Sequence, residues 1–497
     1  MKKQAFNPFL PQGTYIPDGE PHVFGDRVYL FGSHDKEKGN TYCMLDYEFF
    51  SAPVDDLGNW SSNGINYRAS QDPLYSEKIP YMFAPDVVRG NDGKFYLYYC
   101  MAGVRGQGGY SNPISVAVSD APDGQYEYLG IVRGKDGKPL MRYVCFDPAV
   151  INDNGVIRLY YGCCYSFDEH KNFLTKKLLR KIEAGMFGRD ERELKAREDS
   201  IMGAITVTLD DDMLSATDEP CRILPTDTRK TDFAGHAFFE GSSIRKIGDL
   251  YYFIYSSQNN HELCYATSRY PDRDFTFRGT IISNGDIGLN GRRDRDRLNA
   301  TGTNHGSIEK IKDHWYVFYH RQTHNSDYSR WACAEGIDIS DAGAISQVEM
   351  TSCGLNGGAL CGKGKYPAYI ACNLTNGKMP HINNKRQKVA VPCVSSEDGN
   401  CFIQGITKGT QIGYKYFDFC HIRQITVTLR GSAGRMEILD GLDGNILGTV
   451  TVEGALEWRR YGGECEIPDG VQAIFFRWRG EGSTDFLEFA FGTENIR

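Results

Sequence analysis

Apolar residues in this chain come in short runs rich in aromatic and β-branched side chains, bounded by Gly, Asp, Asn and Pro, a spacing that predicts strands almost throughout. The turn Phe24-Gly25-Asp26 leads into Arg27-Val28-Tyr29-Leu30-Phe31-Gly32, and Asn91-Asp92-Gly93 leads into an aromatic strand over 94–100. Asn152-Asp153-Asn154-Gly155 likewise precedes 156–161. Further aromatic strands fall at 250–255 and 315–320, and smaller alternating strands follow at 114–119, 204–209, 263–268 and 331–335.

The same order recurs five times: an acidic or histidine residue beside Gly, Pro or Ser, a turn, an aromatic strand, then a small alternating strand. The anchors are Asp18, Asp86, Asp147, Glu240 and His305, spaced by about 68, 61, 93 and 65 residues, a period that suits four-stranded units with long loops. The long third interval contains a charged, helix-favouring insertion over about 168–200, and removing it restores the period. That insertion reads as a solvated surface helix, with a lid or an oligomer contact as the alternative. Five radially repeated four-stranded sheets make a β-propeller over residues 1–360, with the anchors around one mouth of the central channel. From 361 to 497 the strands are shorter and closer, at 388–391, 401–404, 413–419, 424–429, 435–439, 473–478 and 487–491, as in an antiparallel, jelly-roll-like β-sandwich. Residues 354–369, rich in Gly and Lys, read as the linker. The fold class is all-β, in two domains.

Composition narrows the function. A net charge of −8, a pI near 5.8 and no basic face argue against a nucleic-acid partner. No apolar run approaches a membrane span, and the two N-terminal lysines are followed by no apolar stretch before Asn7 and Pro8, so a cytoplasmic protein is expected. Fifteen cysteines scattered within strands, with no CxxC pair, suit buried thiols rather than a disulfide framework or a thiolate metal site.

Three carboxylates carry the chemistry: Asp18 in YIPDGEP, Asp147 in CFDPAV and Glu240 in FFEGSS. Cleaving a glycosidic bond needs one carboxylic acid to protonate the leaving oxygen and a second carboxylate to activate water or attack the sugar. A third nearby carboxylate would keep the acid protonated by like-charge repulsion. Each residue alone is also an ordinary turn former. Phe31, Phe83 and Phe146, each close to an anchor, are candidates for an apolar wall against a sugar face, and Asp86 for the substrate pocket.

These motifs resemble glycoside hydrolase family 43, with Asn7-Pro8, APDV at 84–87, FDPAV at 146–150, FEGSSIRK at 239–246 and NHGSI at 304–308 carrying the likeness. The resemblance implies an inverting hydrolase with Asp18 as general base, Asp147 as pKa modulator and Glu240 as general acid, and Glu20 competes with Asp18 for the base. It also implies that His305 contacts a central water or a calcium ion, and that Arg330 binds sugar hydroxyls or shapes the pocket. No cofactor is required, a channel calcium ion being the one admitted. The region from 413 with Arg430-Gly431 resembles a family 6 carbohydrate-binding module, with a sandwich that merely buttresses the propeller as the alternative. The expected activity is an exo-glycosidase removing β-D-xylose or α-L-arabinofuranose from short plant-derived oligosaccharides, with homo-oligomerisation open. A galactan-directed glycosidase, a non-catalytic sugar-binding propeller and a phosphorylase using the basic run 292–297 are the competing readings.

Overall fold

A computed structural model of the chain, describing residues 3–102, 112–164, 173–194, 200–382 and 389–492, pairs the aromatic strands into five sheets, each built from consecutive segments. The first blade is Glu20–Phe24, Arg27–Phe31, Tyr47–Pro53 and Ser61–Tyr67, and the second Met82–Arg89, Phe95–Met101, Ile114–Ser119 and Glu127–Ile131. The third is Ala149–Asp153, Val156–Tyr161, Ile205–Leu209 and Cys221–Arg222; the fourth is Phe238–Ile247, Leu250–Ser257, Glu262–Ser268 and Thr276–Ser283. The fifth holds Ser307–Ile311, His314–Thr323 and Ser326–Ile337. First strands of successive blades are neighbours, and that of the fifth returns to that of the first, which closes the propeller.

Local chemistry sets these hairpins. Asn154 and Gly155 both have positive φ (54° and 92°), the requirement of the tight turn that matches strand twist. Aromatic side chains then fill the space between blades: Tyr98, Tyr160, Tyr161, Phe253 and Tyr255 belong to one buried cluster shared by the second, third and fourth blades. Each such fully buried apolar side chain stabilises the fold by about 1.5–3 kcal/mol.

Two expectations about the propeller change. Among the described residues the fifth blade has three strands, not four. What seals it to the first blade is the N-terminal stretch. Phe9 packs on Trp60 (4.8 Å between ring centroids) and on Phe318 (5.6 Å), and Asn7 Nδ2 donates to the Ala334 carbonyl (2.8 Å) and to Glu335 Oε1 (2.9 Å), while Asn7 Oδ1 accepts from Ala334 N (2.9 Å). The insertion in the third blade forms the helix Phe173–Phe187, and the rest of the expected segment at 168–172 and 195–199 lies outside the described residues. This surface helix does not turn only charge to water: Leu174, Leu178 and Ile182, spaced along one face, are 76%, 61% and 51% exposed. It is not long and apolar enough to cross a membrane.

The second domain is a sandwich of two sheets. One has the order Leu360–Cys361, Gln411–Phe419, Gly470–Arg479, Gly434–Leu439, Ile446–Val452, and the other Cys393–Glu397, Asn400–Ile406, Thr484–Gly492, Gln424–Gly431, Ala455–Glu464. Phe417, Phe476, Phe486, Phe489 and Trp478 fill the space between them. The linker reading of 354–369 is corrected: Leu360–Cys361 and Gly364–Pro367 pair with Gln411–Phe419 and Thr484–Gly492, so this stretch is already part of the sandwich. Residues 389–391 are not a strand, and Lys388 lies outside the described residues. Lys415, on a sandwich strand, reaches the propeller loop, pairing with Asp286 (3.2 Å) and with Glu349 (2.7 Å).

Asn7→Ala leaves buried groups of the fifth blade without partners. It is expected to lower stability by about 2–3 kcal/mol, read as a shift of the urea midpoint, while Gln12→Ala, whose side chain bonds at the exposed Gly399 carbonyl, leaves the midpoint in place.

Candidate active site

Asp18 and Asp147 stand just before the first strands of the first and third blades, and both are held in the left-handed region, at φ 57° and 43°. Asp tolerates that conformation better than most residues. Holding it costs of order 1–3 kcal/mol, which the surrounding structure must over-determine.

Asp18 is buried, and its surroundings keep it charged. Arg330 Nη1 donates to Asp18 Oδ1 (2.8 Å), while the rest of the fork is held by Asp35, through Nε to Oδ2 (2.8 Å) and Nη2 to Oδ1 (3.0 Å). The Asp18 backbone N–H donates to His320 Nδ1 (3.2 Å), which leaves the proton of that ring on Nε2, facing the Thr303 carbonyl at 2.8 Å. Burial would lift the Asp18 pKa, but the Arg330 guanidinium brings it well below the usual carboxylate range.

Glu240 lies in the opposite condition. It is half-buried on the strand Phe238–Ile247, at an irregular register next to Ser256. Desolvation, the Asp18 charge and the Asp327 charge push its pKa up to about 8 against the pull of Arg330. Asp147 is raised too, by burial and by Glu240 and Asp18, although Gly241 N–H donates to its Oδ2 (2.9 Å). Gly241 is required here: its φ is 71°, and a Cβ would sit 2.8 Å from Ser256 Oγ and 3.0 Å from the His305 ring. His305 Nδ1 lies 3.8 Å from both Asp18 Oδ1 and Asp147 Oδ2, burial lowers its pKa to about 4, and its Nε2 is buried without a protein partner. The three expected carboxylates and His305 therefore form one site.

Other expected residues sit differently. Arg330 is buried, and its guanidinium is occupied by Asp18 and Asp35 rather than offered as a free fork to a sugar. Phe31 is fully buried among Phe24, Tyr29 and Phe49 and is no wall for a ligand, because neighbouring blades cover both faces of its strand. Asp86 is fully buried, with one oxygen bonded to His22 Nε2 (2.6 Å) and to its neighbour Val87 N (2.7 Å) and the other to Val150 N (2.7 Å); these bonds tie the first three blades together in the channel rather than leaving the carboxylate open to substrate. Phe83 is half-buried beside Phe146 (5.9 Å), which keeps that pair as an apolar surface next to Asp147. Glu20 is excluded as the base, since it lies in the channel against Arg245 (3.1 Å) and Ser243 (3.2 Å). Four site residues escape sequence reasoning: Asp35, Tyr42, His320 and Asp327. Tyr42 bonds Asp327 and lies with its ring 4.8 Å beneath the Arg330 guanidinium, and Asp327 also accepts from Gln322 Nε2 (3.2 Å). The polar cluster that follows the strand Arg27–Phe31 was the available signal for Asp35.

The glycosyl hydrolases family 43 profile matches residues 7–181. A "Xylosidase/arabinosidase" of Thermoclostridium stercorarium is 39% identical over 510 residues, covering 99% of this chain and 100% of that protein. The chain belongs to glycosyl hydrolases family 43. A second "Xylosidase/arabinosidase" of this family 43 protein's relatives, from Bacteroides ovatus, is 29% identical over 63% of this chain and 87% of its own length. Among solved structures, a family 43 β-xylosidase/α-arabinofuranosidase from a compost microbial metagenome, in complex with xylotriose and in a calcium-free form, superposes with a TM-score of 0.52 at 23% identity, over 70% of this chain and 98% of that one.

Two outcomes test the electrostatics of this family 43 site. On a nitrophenyl glycoside, kcat/KM is expected to fall as pH rises through about 8, because Glu240 then loses the proton it must donate; Asp327→Asn removes one of the charges that hold the proton on and moves that limb to lower pH. Arg330→Lys keeps a charge but cannot span Asp18 and Asp35, and is expected to cost about a hundredfold in kcat/KM or more, with the low-pH limb moving upward as Asp18 becomes easier to protonate.

Proposed function

We propose that this family 43 enzyme is an inverting exo-acting pentosidase that releases terminal β-D-xylose or α-L-arabinofuranose from short oligosaccharides. The observation that carries the reading is the divergence of two carboxylates in one ring: Arg330 holds Asp18 ionised, while Glu240 keeps its proton up to about 8. Two carboxyl groups whose surroundings drive their pKa values apart are the acid and base of a single reaction. Asp18 takes a proton from water as its oxygen bonds to the anomeric carbon, and Glu240 gives its proton to the glycosidic oxygen as the old bond breaks. Proton exchange with solvent then restores both groups. Asp147, through Gly241 N–H, fixes the backbone that carries Glu240. Burial and the Glu240 and Asp18 charges raise the pKa of Asp147 itself. The choice of pentose rests on the names of the relatives, both xylosidase/arabinosidases.

A channel cation fits the residues present. Ligand atoms of Glu20, His22 and Asp86 lie within 4.8 Å of one another in the channel, Glu20 Oε1 and, separately, His305 Nε2 are buried without a protein partner, and carboxylate oxygens and imidazole nitrogens are suitable donors for such an ion. Bound there, the ion would supply positive charge beside the carboxylates. His305 stands between Asp18 and Asp147, 3.8 Å from each.

A panel of nitrophenyl β-xyloside, α-arabinofuranoside, α-arabinopyranoside and β-galactoside decides the sugar; turnover confined to the β-galactoside overturns the pentose reading. Asp18→Ala is expected to abolish hydrolysis of every substrate, whereas Glu240→Ala retains part of the rate where the leaving group is good. The opposite pattern exchanges the two roles.

A further inference from the structure

Arg330 and Asp327, which act on Asp18 and Glu240, are each held by a side chain of one loop. That loop, residues 32–46 of the first blade, supplies Asp35 to Arg330 and Tyr42 to Asp327. Arg330 and Asp327 themselves lie on the strand Ser326–Ile337 of the fifth blade, just after a tight turn in which His324 and Asn325 are both left-handed, at φ 55° and 49°. Backbone bonds join the two segments further: Arg330 N donates to Asp35 Oδ2 (3.1 Å), Cys43 N to Asp35 Oδ1 (3.0 Å), and Lys38 N to the Oγ of Ser329, the residue before Arg330 (2.8 Å). How the loop sits against the turn therefore decides how the guanidinium meets Asp18.

The second domain grips both segments at one point. On its strand Cys393–Glu397, the Ser396 hydroxyl donates to Glu37 Oε1 and lies 3.1 Å from His324 Nε2, while the Ser396 carbonyl accepts from Lys38 Nζ (2.8 Å). Two residues earlier, the Val394 carbonyl accepts from His324 N (2.7 Å). Ser396 is thus bonded to the loop of the first blade through Glu37 and Lys38 and to the turn of the fifth through His324. Tyr15 OH donates to the same Glu37 oxygen (3.2 Å), and its ring stacks with that of Trp331 at 5.9 Å in a buried cluster that includes Val394 and Cys401 of the sandwich. Tyr15 precedes Asp18 by three residues, and Trp331 follows Arg330.

Glu37 is exposed and Ser396 half-buried, and a hydrogen bond in such a place adds little net stability. Its leverage is geometric. Glu37 is two residues from Asp35, and a displacement of about 1 Å at a reacting group can cost on the order of a hundredfold in rate. Building on the assignment of Asp18 as base above, we infer that Ser396 is a positioning residue for the reaction: the sandwich strand pins the loop that carries Asp35 to the turn that precedes Arg330, and so holds the guanidinium on Asp18. The second domain contributes to catalysis through this arginine.

The test is a double-mutant cycle on whichever nitrophenyl glycoside the wild type cleaves, with Ser396→Ala, Ser396→Thr, Glu37→Ala, Arg330→Lys and the double variant Ser396→Ala/Arg330→Lys. Ser396→Ala and Glu37→Ala are each expected to lower kcat about tenfold with KM near the wild-type value, and Ser396→Thr, which keeps the hydroxyl, to recover most of the loss. Because Ser396 acts through Arg330, the double variant is expected to be no slower than Arg330→Lys alone, whereas independent effects multiply. Wild-type kcat in both Ala variants, a loss confined to KM, Ser396→Thr as slow as Ser396→Ala, or losses that multiply in the double variant overturns the positioning role. Arg330→Lys at the wild-type rate overturns the assignment of the base, and the positioning role with it. Which sugar the wild type releases leaves the outcome of the cycle unaffected, so the pentose reading and this one fail separately.

Discussion

The buried guanidinium of Arg330 is the interaction on which the rest depends. It comes from the third strand of the fifth blade, and both its partners, Asp18 and Asp35, belong to the first. Taking three charges out of water is expensive, and the cost is offset only where geometry is good and the remaining hydrogen-bonding capacity is used. Here the fork spans two carboxylates and the Tyr42 ring covers its face. A contact that closes the ring of blades is therefore also the one that fixes the charge of Asp18. Among the described residues no strand is shared between the first and last blades; further adhesion comes from Phe9 and Asn7 of the N-terminal stretch, from the buried cluster that joins Val28, Leu30 and Phe50 to Ile311, Phe318 and Ala332, and from the bonds of Tyr42 to Asp327 and of Asp18 to His320.

From that seam the electrostatic asymmetry of the site follows. Arg330 touches Asp18 and only acts at a distance on Glu240 and Asp147. One carboxylate in the ring is thereby neutralised by a partner, and its residual negative field raises the other two. Burial acts on all three in the same direction, so burial cannot distinguish acid from base; the position of one arginine does. His305 adds geometry rather than charge, since burial holds it neutral while it stands equidistant from Asp18 and Asp147.

Much of this was legible in the chain. The blades follow from turn chemistry and strand periodicity, both local signals, and Asp18, Asp147, Glu240 and His305 were found because each occupies the same place in a repeated unit. Arg330 was found, but Asp35 and Tyr42 beside it were not. Asp35 is 295 residues away in sequence and Tyr42 lies 285 residues before Asp327, and no local pattern carries a pairing that exists only once the ring has closed. Phe31 failed for a related reason: proximity to an anchor says nothing about exposure when a strand is covered on both faces. Asp86 sits in the channel with its oxygens already bonded, a state that composition and spacing do not distinguish from an open carboxylate. Residues 354–369 looked like a linker because they are rich in glycine and lysine, yet paired backbone, with Tyr366 buried against Phe417 and Phe489, draws Gly364–Pro367 onto the sandwich.

The sandwich is joined to the propeller by more than the chain that links them. Buried Lys415 meets Asp286 in the loop between the fourth and fifth blades, and Asn373 Nδ2 donates to the same carboxylate (3.0 Å). Further along that loop, Thr301 is bonded to Pro380, His381 and Ile382. This loop ends at Asn304 and His305, so the second domain grips the segment that delivers the channel histidine. Removing the Asp286 carboxylate would leave buried Lys415 with Glu349 alone and buried Asn373 Nδ2 without its acceptor, a penalty larger than an exposed ion pair carries. The two domains are therefore expected to act as one unit at the catalytic rim. On the sandwich itself, half-buried Trp458 is covered by Arg430 at 4.4 Å and edged by Phe402 at 5.3 Å, an arrangement that consumes the face a stacked sugar would need. The contacts of Lys415, Asn373 and residues 380–382 make the sandwich a buttress of the propeller rim.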